Sequence, residues 1–131
     1  MRYYNSYNKY KNTKIEQDGE KFDSKKEYYE WLKLKRLEEM GEISNLQRQV
    51  SFVLIPTQYE TYTETTKTGK VKEKKRVVEK ECKYIADFVY TDNNTGQIIV
   101  LDTKSEATKT PAYKIKKKLM LYIHHIKITE M

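Results

Sequence analysis

Cys82 is the only cysteine in the chain, so no internal disulfide can form and a four-thiolate metal centre is excluded. A reducing compartment fits that. There are only four glycines, well apart, and none belongs to a Gly-rich loop that could cradle a phosphate. No apolar run is long enough to span a bilayer, and residues 1–14 are polar and aromatic, without the apolar stretch of a signal peptide. The expected location is the cytoplasm, with no membrane partner. No serine or cysteine has a His and Asp around it suited to covalent acyl chemistry. His124 and His125, the two histidines, are adjacent and read as packing or surface residues rather than catalysts.

What remains is a heavily charged chain. Of its 131 residues 37% are hydrophobic and 34% charged, which leaves apolar surface for one modest core and makes every buried charge informative. The 26 Lys and Arg outweigh 19 Asp and Glu, for a formal charge of +7, and this favours a polyanionic partner such as nucleic acid. We expect a single domain over residues 21–131, preceded by a basic Tyr/Lys-rich arm over residues 1–20. In that arm tyrosines stand ready to stack on bases and Lys9 and Lys11 to meet phosphates, unless it is simply a solvated tail.

The first helix is expected over residues 24–40: Ser24 and Glu27 form a capping-box pair and Gly41 stops it, with Trp31, Leu34 and Leu37 on one side. Gln49 to Ile55 has strand composition and ends at Pro56. Residues 58–83 read as an inserted Lys-rich hairpin turning at Thr68-Gly69, either a DNA-holding arm carrying Lys72, Lys74, Lys75 and Arg76 or a flexible excursion. Strands follow at Tyr84–Thr91 and Gln97–Lys104. A second helix begins at Thr110-Pro111, with Ile115, Leu119, Tyr122 and Ile123 on its core face and Lys114, Lys117 and Lys118 facing elsewhere, lining a phosphate channel or merely solvated. Ile126 to Glu130 closes the chain as a short strand. The fold class is α/β (α+β): a mixed four-stranded sheet flanked by helices in αβββαβ order, with the hairpin as an extra, because a strand, helix, strand ending implies a parallel pair.

The chemistry sits on the middle strands. Alternation places Ile85, Asp87 and Val89 on one side, and Ile98, Val100, Asp102 and Lys104 on one side of the next strand. If the loop is Asn93 to Gly96, Asp92 pairs with Gln97, and counting back sets Asp87 opposite Asp102. Two carboxylates facing each other among Ile and Val repel unless a cation lies between them. Hard oxygen ligands suit Mg²⁺, with Mn²⁺ as substitute. Lys104 lies beside them, placed to serve an attacking water or developing phosphate charge. Glu27 falls on the core side of the first helix, which suits either a third metal-directed carboxylate or the capping box alone.

The segments Lys9-Tyr10, Phe22-Asp23-Ser24-Lys25-Lys26-Glu27, Gly41-Glu42-Ile43, Gln49-Val50, Tyr84-Ile85-Ala86-Asp87-Phe88-Val89-Tyr90 and Leu101-Asp102-Thr103-Lys104 resemble a small phage-encoded domain family of uncharacterised function. That family is grouped with the PD-(D/E)XK nucleases and is similar to Holliday-junction resolvases. The resemblance covers nearly the whole chain except the Lys-rich hairpin. It implies a restriction-endonuclease-like core in which Asp87 is the motif's first Asp, Asp102 its (D/E), Lys104 its Lys and Glu27 the acidic residue of the first helix. Ala86 departs from it by standing where the motif's name has Pro, and Ser105 where Gly is equally expected.

The expected function is Mg²⁺-dependent hydrolysis of DNA phosphodiesters, selective for Holliday junctions or other branched DNA in phage recombination or replication. Asp87, Asp102 and the Thr103 carbonyl would hold the metal, with Glu27 holding it or a second ion through water. Junction cutting would call for a homodimer. The rivals are a DNA-binding module with a nuclease fold that does not cut, and an RNA binder that stacks bases on tyrosines.

Overall fold

The computed structural model describes residues 14–17 and 19–131. Lys9 and Lys11, with most of the expected arm, lie outside these residues. The arm's end carries structure that the sequence reading did not assign: Ile15–Gln17 (β1) and Glu20–Phe22 (β2) pair antiparallel around Gly19, whose φ of 78° suits a residue without Cβ. Phe22 ties this hairpin to the body, being buried edge-on against Tyr28 and beside Trp31.

Lys25–Glu39 forms α1, and Ser24 caps it by accepting from the Glu27 N–H at 3.1 Å. At the other end Glu42 N–H reaches Leu37 O and Gly41 N–H reaches Glu38 O, a Schellman closure that needs the left-handed φ of 78° at Gly41. Ile43–Ile55 (β3) is six residues longer at its start than the composition of Gln49 to Ile55 indicated. Gln58–Thr65 (β4) and Val71–Glu79 (β5) make the inserted hairpin, an antiparallel ribbon that forms its own two-stranded sheet. Every residue of β5 is exposed.

Cys82–Asp92 (β6), Ile98–Asp102 (β7), Pro111–His124 (α2) and Thr129–Glu130 (β8) complete the chain, with a short 3₁₀ turn at Glu106–Thr108 before α2. The main sheet has the order β3-β6-β7-β8, with β7 and β8 parallel and the other pairs antiparallel. It is therefore the expected mixed four-stranded sheet with two helices. Val100 and Leu101 are neighbours on β7 and point to opposite faces. Val100 packs with Tyr113 and Met120 of α2, and Leu101 packs with Leu34 of α1, so a helix covers each face. No helix among the described residues is long and apolar enough to cross a membrane.

Two expectations are corrected. On α2 the buried residues are Tyr113 and Met120, whereas Ile115 and Tyr122 are exposed, the latter at 82%. Between Tyr113 and Met120 lies half-buried Lys117, which pairs with Glu130, and Tyr113 donates its hydroxyl to the same carboxylate. Nor does β6 alternate evenly. Tyr84 and Ala86 pack on the α2 side but Phe88 packs on the α1 side, and Ile85 is exposed rather than sharing the environment of Val89. The cause lies in the β3–β6 ladder, which pairs Arg48 with Phe88 and Val50 with Ala86 but skips Gln49 and Asp87 between them. Gln49 has φ 52°, and the side-chain alternation is broken there.

Candidate functional site

Asp87 and Asp102 meet through the geometry of a turn. Asp92 N–H donates to Gln97 O at 2.8 Å, and the ladder continues through Thr91–Ile98, Tyr90–Ile99, Val89–Val100 and Phe88–Leu101. The ladder ends there; Asp87 and Asp102 are the next residue on each strand, and the Asp87 carboxylate acts directly on that of Asp102.

The two carboxylates have different surroundings. Asp102 is 1% exposed; its Oδ2 accepts the Tyr84 hydroxyl at 2.6 Å, while Oδ1 is buried without any hydrogen-bond partner. Lys104 Nζ stands 3.8 Å from that Oδ1 and 4.8 Å from the centre of the Tyr113 ring. Asp87 is half-buried, and its Oδ2 accepts both the Thr103 N–H at 2.9 Å and the Thr103 hydroxyl at 2.7 Å. Burial, and next the Asp87 carboxylate beside it, push the Asp102 carboxyl up to about 7 against the pull of Tyr84 and Lys104.

Glu27 is buried on α1 at 2% exposure, and its backbone and carboxylate are both engaged at the helix start. Its backbone N–H serves the Ser24 cap and its carboxylate reaches back to the Asp23 N–H at 3.3 Å, while Arg48 Nη2 and Gln49 Nε2 donate to Oε1 at 3.3 and 3.0 Å. Gln49 Nε2 also lies 3.4 Å from Asp87 Oδ1, so one amide spans the two acids. Burial raises the Glu27 carboxyl above its ordinary value and Asp87 adds to that, with Arg48 opposing. The Arg48 guanidinium carbon lies over the Phe22 ring, 3.9 Å from its centre, and Arg48 also binds Glu20 and the Lys21 carbonyl.

A cleft of about 230 Å³ opens between Glu27, Asp87 and Lys104, with Ser24, Lys26 and Thr108 on its walls. A second, of about 370 Å³, opens on the other side of Lys104, along Asp102, Tyr84 and Tyr113, with Lys83 and Lys116 at its rim. Lys26 also reaches the Lys104 carbonyl at 3.4 Å. Four lysines thus surround the acids. Three groups of the sequence reading sit elsewhere: Lys72, Lys74, Lys75 and Arg76 are on the ribbon, where Lys74 pairs with Glu64 and Arg76 with Glu60. Lys114, Lys117 and Lys118 line a separate cleft with Leu121, Lys127 and Ile128. His124 packs at a tilt against Phe52 and bonds the Val53 carbonyl, a packing role as expected.

The structure therefore brings Glu27, Asp87, Asp102, Thr103 and Lys104 to one place, although no three His, Cys, Asp or Glu side chains among the described residues converge as a protein-only metal cage. Sequence reasoning missed Tyr84, Arg48, Gln49 and Lys26. The adjacent polar pair Arg48-Gln49 ahead of an apolar strand was the available signal, but composition assigns only Gln49 to the strand and Arg48 to no element. Comparison with curated proteins and with solved structures gives no match. Residues 7–130 match the family model described as a protein of unknown function (DUF1064), and the chain belongs to that family.

Proposed function

We propose that this protein is a Mg²⁺-dependent endodeoxyribonuclease with a restriction-endonuclease-like, PD-(D/E)XK core, acting on Holliday junctions or other branched DNA. One observation supports this above the others: Asp102 buries a carboxylate oxygen with no hydrogen-bond donor, on the strand next to Asp87 and within 3.8 Å of Lys104. A buried charge in that condition is costly unless a cation completes it. The donor set fits Mg²⁺, which takes one or two carboxylates and keeps several waters, so a cage of three acids is not required. Asp87, Asp102 and the Thr103 carbonyl would hold it, and Mn²⁺ would substitute. Glu27 would act through water, because Gln49 lies between it and Asp87.

Bound there, the cation supplies Lewis acidity toward a phosphoryl oxygen. The chain's own groups do the rest. Thr103 fixes the orientation of Asp87 through two bonds to one oxygen, leaving Oδ1 turned toward Gln49 and the cleft. Lys104 carries its ammonium between the two clefts, where it orients a water by hydrogen bonding and offsets charge on the phosphate as the P–O bond is attacked. Lys26, Lys83 and Lys116 bind the flanking phosphates. If junctions are the substrate, two copies would place the two cuts symmetrically.

A second reading, a DNA-binding module that does not cut, is favoured by the way Glu27 is already satisfied by Arg48 and Gln49. The decisive test is cleavage of labelled junction, flap and linear duplex in Mg²⁺ or Mn²⁺ by wild type and Asp102→Ala. Cutting that Asp102→Ala abolishes supports the nuclease. Intact binding with no cutting by wild type, and no thermal stabilisation by Mg²⁺, would establish the module instead.

A further inference from the structure

We propose that Gln49 is a positioning residue of the acidic site, setting the separation of the Glu27 and Asp87 carboxylates with a single side-chain amide. The inference rests on the nuclease reading for its purpose but on independent geometry for its substance. Gln49 Nε2 lies 3.0 Å from Glu27 Oε1 and 3.4 Å from Asp87 Oδ1, and these acids arrive on different elements, α1 and β6. No hydrogen bond joins the two carboxylates directly, and the charge of Asp87 disfavours charge on Glu27. An amide N–H₂ offers two donors and no charge, so it holds both without neutralising either.

The backbone has been bent to put it there. Among the described residues, three non-glycine residues have left-handed φ: Asn45 at 54°, Gln49 at 52° and His125 at 58°. Asn45 is of a type that adopts this conformation readily and sits at the bulge between Ser44 and Gln47; His125 closes α2. Gln49 is not of that type and closes no helix, and the ladder position it skips brings no register shift with it. It lies inside β3, where the ladder continues on both sides with Arg48–Phe88 and Val50–Ala86. Left-handed φ in a strand interior is unfavourable for a residue with a Cβ and persists where surrounding structure imposes it, often at functional sites. Gln49 is itself exposed, so its bonds add little to global stability, and a packing role does not account for the strain.

Two substitutions separate positioning from structure. Gln49→Met keeps the side chain's length and shape but removes the donors; Gln49→Gly removes the side chain and relieves the φ. Positioning predicts that both variants lower kcat for DNA cleavage at least tenfold with KM within twofold, while Gln49→Gly melts at or above the wild-type temperature. Gln49→Met cutting like wild type overturns it, as does a Gln49→Gly variant that loses activity only in step with lost stability. Should wild type cut no DNA, the nuclease reading fails separately. Crystal structures of wild type and Gln49→Met then decide: a Glu27–Asp87 separation that widens supports the role, and one that stays the same refutes it.

Discussion

Tyr84 donates its hydroxyl to Asp102 Oδ2 at 2.6 Å, three residues before Asp87 on the same strand, while the other Asp102 oxygen has no donor. The tyrosine thus carries the hydrogen bonding of a carboxylate that is otherwise supported only by the more distant Lys104 ammonium. Burial and the hydrogen bond to Asp102 together raise the Tyr84 hydroxyl well above its ordinary value, so it stays a donor throughout the accessible pH range.

Replacing Tyr84 with Phe removes the bond that opposes burial at Asp102. The Asp102 carboxyl is then expected to titrate above its present value of about 7, and stability at pH 8 to fall by about 1–2 kcal/mol. Carboxyl carbon chemical shifts followed through a pH titration read the first quantity and denaturant melts the second. A titration midpoint that moves down would contradict the assignment of Tyr84 as the group stabilising the charged form.

Asp102 itself sets a pH dependence of stability. Its folded pKa, about 7, lies above the ordinary carboxylate value of 3.8, so the folded state holds a proton that the unfolded state has lost between those limits. Stability therefore falls as pH rises from about 4 to about 7 and stays low above that. Asp102→Asn should flatten this slope and, in metal-free buffer at pH 8, melt higher than wild type by roughly 1–3 kcal/mol of stability. Mg²⁺ should restore stability to wild type and not to the variant, read by melts with and without the ion.

The pairing of Asp87 with Asp102 was legible because it depends only on local turn length, and the same holds for the Ser24 cap and the Gly41 stop. These are short-range constraints written in adjacent residues. The break at Gln49 was not legible, because it arises where a strand, a helix carboxylate and a neighbouring strand's carboxylate make one demand across 22 and 38 residues of sequence. The orientation of α2 was lost for a related reason. Its apolar stripe of Ile115, Leu119 and Tyr122 has helical period, but Glu130 recruits Tyr113 and Lys117 and rotates the helix toward them. Periodicity reports which faces are apolar, not which face a distant partner selects.

Arg48 offsets a buried charge, since Glu27 is 3% exposed at its side chain and Arg48 14%. Arg48→Met keeps much of the apolar contact with Phe22 but leaves Glu27 unpaired, and should cost roughly 3 kcal/mol. Adding Glu27→Gln should recover a large part of that loss, because a neutral amide needs no counter-charge. A double-mutant cycle from denaturant melts measures the coupling; strictly additive losses would show that the ion pair contributes nothing beyond the stacking of Arg48 on Phe22.

The ribbon's charges are partly spent within it. Lys74 pairs with Glu64 and Arg76 with Glu60 across the strands, whereas Lys83 and Lys116 stand at the cleft beside Asp102 with no salt bridge among the described residues. A cation already paired attracts few phosphates unless the pair opens, so DNA binding should release few counterions there. Lys83→Ala with Lys116→Ala should reduce the slope of log affinity against log salt by about 2, and Lys74→Ala with Arg76→Ala by less than 1. Fluorescence anisotropy with a labelled duplex across a salt series gives both slopes. If the ribbon pair carried the larger change, the cross-strand ion pairs must exchange for phosphates on binding, and the ribbon rather than the cleft would be the main grip on DNA.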